Sequence, residues 1–231
     1  MTEEEKWRVI RSASTLLGWL QQTRPKPSTR KVRLYICACS RWVPDFETKP
    51  RLAEAVRTTE ALADGHISMD EMNVFRGRLY AEIPRPGSTG RSLVGSVVVG
   101  NARVWDAAKE VAGHVVNLRL VSLLGGSYLP ELTEEWRKQW AIEYPRLCEF
   151  VREVFGNPFR HVELDPAWLT STVTALAAGM YESRDFSAMP ILADALQDAG
   201  CENADVLGHC RDPNATHVRG CWVVDLVLGK E

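Results

Sequence analysis

No uninterrupted apolar run in these 231 residues approaches the roughly twenty that a membrane-spanning helix needs, so the sequence predicts no membrane span. No C-x-x-C pair occurs among its six cysteines, which excludes the commonest zinc-ribbon and thiol-redox spacings. Charge of one sign is also missing, because the formal net charge is −2, and this argues against a general attraction to nucleic acid or acidic lipid. Internal repeats and low-complexity stretches are absent. So are the G-x-S-x-G elbow, the Walker phosphate loop, the G-x-G-x-x-G fingerprint and the H-E-x-x-H helix, and no catalytic residue is expected from motif.

What is present is ordinary for a chain that buries its own core. Apolar residues make up 45% and charged ones 25%, a balance at odds with disorder. The opening MTEEEKWRVIRSAS is acidic and then amphipathic, unlike a secretory leader, and a cytoplasmic location with reduced thiols is the expectation.

Helical spacing dominates. Thr2 and Glu5 have the pattern of a capping box ahead of Trp7, Ile10, Leu17 and Leu20. Ser28 or Thr29 caps a helix carrying Val32, Ile36, Cys39 and Val43, with Pro44 beyond it; a strand over 32–37 is the weaker alternative. Leu52 to Ala63, stopped at Gly65, and Met72 to Leu79, capped by Ser68 and Glu71, form a helical hairpin. IPRPGSTG at 83–90 is a loop, and a long helix through Val104, Val111 and Leu118 ends at Gly125 and Gly126, with residues 97–99 open to helix or strand. Residues 131–155 predict one helix kinked near Pro145, and Asp165 and Pro166 start another through Tyr181. Helices ending at Gly200, at 204–209 and from Val218 to Leu228 complete an all-α bundle of roughly ten helices. The connector at 156–165 divides an N-terminal bundle, 1–156, from a C-terminal helical subdomain, 157–231.

One stretch concentrates ligand chemistry. GHCRDPNATHVRGCW, with Cys201 upstream, offers Cys201, His209, Cys210, His217 and Cys221, and zinc takes four such donors tetrahedrally. His217 and Cys221 meet if 217–221 is helical. Opposed to this, adjacent His209 and Cys210 point about 100° apart on a helix, and cysteine is a common small core residue. Cys37 and Cys39 diverge on their helix, and Cys148 has core neighbours. His161 and Glu163 make the H-x-E of zinc deaminases, without the P-C-x-x-C that completes that signature. Arg24, Lys26, Arg30, Lys31 and Arg33 form a basic run able to contact phosphates.

FGNPFRHVELDPAWLT, LADALQDAGCENADVLGHC and HVRGCWVVDLVLGKE, with RKVRLYICACSRW and LAEAVRTTEALADG, resemble a group of planctomycete (Gemmata-type) proteins with no established function. ILADALQDAG is also similar to small helical segments that accompany repeats in the same bacteria. The resemblance covers about residues 1–65 and 145–231 and implies cytoplasmic, helical character, with no catalytic residue, cofactor or partner carried across. The expectation is therefore a non-enzymatic helical interaction or adaptor module for a protein partner, without cofactor. Two alternatives stand beside it: a zinc-stabilised module or metalloenzyme built on the C-terminal cluster, and a nucleic-acid binder using the basic run.

Overall fold

The computed structural model describes residues 1–82, 89–124 and 133–230, apart from the side chains of 89–91. Among the described residues there are helices and turns and no strand, an all-α multi-helix bundle. Of the loop expected at 83–90, residues 83–88 lie outside them, as does the glycine stop at 125–126, while Thr89 and Gly90 belong to a helix instead.

The first helices follow their caps. The reciprocal bonds of Thr2 and Glu5 start α1 (Glu3–Val9), and the Ser12 side chain starts α2 (Ala13–Leu20). Ser28 caps α3 (Thr29–Arg41), whose residues 32–40 are all buried, so this helix forms the axis of the N-terminal bundle. Against it pack α4 (Pro50–Ala63), α6 (Thr89–Val97) and α7 (Val104–Leu124), and α5 (Met69–Glu82) packs on α4. Of the valines that could have been a strand, Val97 ends α6 and Val98 and Val99 follow it without a strand, with Val97 and Val98 in the core.

Two helices replace the single kinked one expected over 131–155. Pro145 has no N–H to continue the ladder, so α8 (Glu134–Glu143) closes on Tyr144 N–H to Trp140 O at 2.9 Å, and α9 (Arg146–Phe155) starts anew. The helix expected from Asp165 is divided likewise. Asp165 and Pro166 make only a 3-10 turn, and Thr170 then caps α10 (Ser171–Ser183). The chain finishes with α11 (Met189–Asp198), α12 (Ala204–Arg211) and α13 (Trp222–Leu228).

Buried apolar side chains fall into two clusters, one drawn from residues 7–154 and one from 173–227. Charged groups join them. Arg30 of α3 donates to both oxygens of Asp225 on α13, at 2.7 and 3.0 Å, and to the Tyr181 hydroxyl at 2.8 Å. Tyr181 in turn donates to Asp64 just past α4, and Arg219 reaches the other Asp64 oxygen at 2.7 Å. Both carboxylates are shut off from water, and buried charges are tolerated where they are paired in this way.

Candidate metal centre

The last turn of α9 places Glu153 beneath the C-terminal helices. Phe150 and Val154, three residues before it and one after, are packed in the N-terminal core, which fixes the rotation of the helix and buries Glu153 with them. Gly156 then ends α9 at φ +67, where a Cβ would lie 3.2 Å from the Trp222 ring. Only glycine lets the chain turn this close to α13.

Three further donors arrive from the other unit. His209 sits in the last turn of α12, and the chain leaves it through an Asx turn in which Asn214 N–H bonds the Asp212 side chain at 2.9 Å. His217 and Cys221 do not share a helix, and the last helix, expected from Val218, starts at Trp222. Residues 218–221 form a tight turn, closed by Cys221 N–H to Val218 O at 2.9 Å, and α13 begins one residue after Cys221. The turn requires Gly220 at φ +95, with the Leu34 side chain against its Cα.

His217 Nδ1 lies 3.1 Å from Glu153 Oε1, His209 Nε2 lies 3.3 Å from Glu153 Oε2, and the same Nε2 is 3.2 Å from Cys221 Sγ. All four ligand atoms are within 4.8 Å of one another. Zinc bonds of about 2.0–2.3 Å at tetrahedral angles give donor–donor edges of about 3.3–3.6 Å, so the His209–Cys221 edge and one imidazole–carboxylate edge, on whichever Glu153 oxygen binds, need only a few tenths of an ångström of adjustment. The side chains of Glu153, His217 and His209 are 4%, 8% and 16% exposed, and Cys221 is fully buried.

The electrostatics favour a cation. Among the described residues the ion-pair partners of the buried Glu153 carboxylate are the two imidazoles alone; the Val218 amide adds one hydrogen bond at 3.4 Å. Burial lowers the His209 pKa, Glu153 opposes that, and His217 lowers it further, leaving a neutral ring with a lone pair. Burial, and then the Glu153 charge, push the Cys221 thiol well above its ordinary value. An ion would take the place of that proton.

Of the five residues expected as ligands, the structure gathers His209, His217 and Cys221 and leaves out Cys201 and Cys210. The reason is helical rotation: His209 faces Glu153, so its neighbour Cys210 faces the second core, where Cys201 also lies, its amide bonded to Leu196 O at 2.9 Å. Burial, with lesser contributions from Glu153 and Cys201, raises the Cys210 thiol to about 12. The carboxylate went unread in the sequence because it lies 56 residues before His209; its one local sign is an acid in the midst of Phe150, Val151 and Val154.

The basic run does not form one face. Arg33 is 2% exposed and donates to Val99 O at 2.8 Å and Asn101 Oδ1 at 2.7 Å, and Arg30 is spent on Asp64 and Asp225. Arg24 and Lys26 are exposed, and Lys31 reaches the Val154 carbonyl at 3.1 Å. His161 and Glu163 are exposed on the connector, and Cys37, Cys39 and Cys148 are core thiols. No family model matches the chain, and neither a curated protein nor a solved structure matches it.

Proposed function

We propose that this is a zinc-stabilised helical module in which one ion, held by Glu153, His209, His217 and Cys221, fastens the C-terminal helices onto the N-terminal bundle. The observation that carries the reading is the Glu153 carboxylate, buried against two imidazoles and a thiol contributed by the other unit. A carboxylate removed from water needs a cation, and two imidazoles, a thiolate and a carboxylate are donors that suit zinc. Four protein donors with little exposure leave no open position for water or substrate, which favours a structural ion over a catalytic one. The wider reading, a non-enzymatic module that engages a protein partner, rests on the sequence, where no catalytic motif occurs.

Elemental analysis of the protein purified without a histidine tag tests the ion directly, with one zinc per chain as the expected result. Cobalt loading should add a thiolate-to-metal absorption band in the near ultraviolet that disappears in Cys221→Ser. A folded, metal-free protein that takes up neither ion ends the reading.

A further inference from the structure

A second feature adjoins α13. Between the start of α3, the connector after α9 and α13 there is a cleft of about 820 Å³, within the range of about 300–1,000 Å³ usual for sites that take small molecules. The walls are of two kinds. Phe155, Leu164, Trp222 and Leu226 give it apolar surface, each of them half-buried and so still open to an occupant. Lys26, Lys31, Arg160 and Lys230 give it positive charge.

Two carboxylates, Asp205 and Asp225, also line the cleft. They offset only part of that charge: Asp225 lies 4.0 Å from Lys31 and the buried Asp64 lies 3.9 Å from Lys230, but Arg30 and Arg219 already hold these two acids, so four cations surround two carboxylates. Asp225 is held from beneath by both nitrogens of Arg30, which is itself not on the wall. Asp205 is paired with Arg160, which shares a second carboxylate, Glu4, at 2.6 Å. Lys26 is exposed, with its amine 5.0 Å over the Trp105 ring and a carboxylate partner for it absent among the described residues. Ser28, the N-cap of α3, is on the wall too, so the positive end of that helix adds to the field.

We infer that this cleft binds a small organic anion, one acidic group on an apolar body. The acidic group is placed among Lys26, Lys31 and Lys230, and the body lies against Trp222 and Leu226. The inference stands apart from the zinc reading, since none of the four proposed ligands lines the cleft.

The test uses the full chain as isolated and two fluorescent probes of one shape, anilinonaphthalenesulfonate and its uncharged counterpart N-phenylnaphthylamine. The sulfonate should bind saturably, one per chain, with quenching of tryptophan emission, and the uncharged probe should bind much more weakly. The double variant Lys26→Gln, Lys230→Gln should weaken the sulfonate by about tenfold, and Lys26→Gln alone, at an exposed position, by about threefold. Near-ultraviolet circular dichroism checks that each variant is folded. Octyl phosphate and octanoate should displace the probe, and their ranking separates a phosphate from a carboxylate ligand. Unsaturable binding, equal binding of the uncharged probe, sulfonate affinity unchanged in Lys26→Gln, or displacement by neither amphiphile overturns the inference.

Discussion

Replacing Glu153 by glutamine keeps the shape of the side chain and removes its charge, and a zinc clasp and a plain hydrogen-bonded core respond to this differently once a chelator is present. A ligand that binds only the folded state adds about 4 kcal/mol when its free concentration is a thousandfold above Kd. A chain of this length shifts by about 2–4 °C per kcal/mol, so chelation should lower the melting temperature of the wild-type protein by about 8–16 °C. Glu153→Gln should melt well below the zinc-loaded wild type and respond little to chelator. In chelator the order should invert or level, because the wild type then holds a buried carboxylate whose ion-pair partners among the described residues are imidazoles alone. A core of hydrogen bonds alone predicts otherwise: the variant loses about 1–3 kcal/mol with or without chelator. Scanning calorimetry of both proteins, with and without a chelator, distinguishes the two. Identical wild-type curves in zinc and in chelator, with the variant lower in both, refute the reasoning.

Three other outcomes are expected. Burial alone would raise the Asp64 pKa, but the Tyr181 hydroxyl and the Arg219 and Arg30 guanidiniums outweigh it and hold Asp64 below its ordinary 3.8. Its stabilising contribution is therefore complete above 3.8 and is lost as pH falls through the lower folded value; denaturation of wild type against Asp64→Asn should show a gap that closes in acid, and a gap constant with pH counts against the network. Gly220→Ala sets a Cβ 2.9 Å from Leu34 Cδ1 at a positive φ and should cost about 2 kcal/mol or more in thermal unfolding; unchanged stability would show that the turn is not held as described. Arg33→Ala removes a buried donor pair, so it should lower stability by about 1–3 kcal/mol while leaving elution from a heparin column unchanged, whereas a shifted salt dependence of elution would return Arg33 to a phosphate-binding face.

The helices were legible because their signals are local. Thr2 with Glu5, Ser28, and Ser68 with Glu71 announce starts within four residues, and the structure places a cap at each. Boundaries failed where one residue can act in two ways. Pro145 permits a kink or a break, and Asp165 with Pro166 permits one helix or a turn followed by another; the hydrogen bonds of Tyr144 and Thr170, fixed by packing at a distance, decide between them. The site was half legible for the same reason. His209, His217 and Cys221 stand within 13 residues and could be read as a group, but the choice among the cysteines depends on the rotation of α12, and Glu153 comes from another helix. Nothing in the spacing of the C-terminal residues specifies a fourth donor so far away.

The order in which the four donors are synthesised has a consequence for a growing chain. Glu153 leaves the ribosome more than fifty residues ahead of His209, and Cys221 follows close to the end of this sequence. Until then the N-terminal bundle holds Glu153 without the imidazoles and thiol that enclose it in the folded chain. A chain cut before residue 217 lacks His217, Cys221 and α13, and so lacks most of the groups that enclose Glu153.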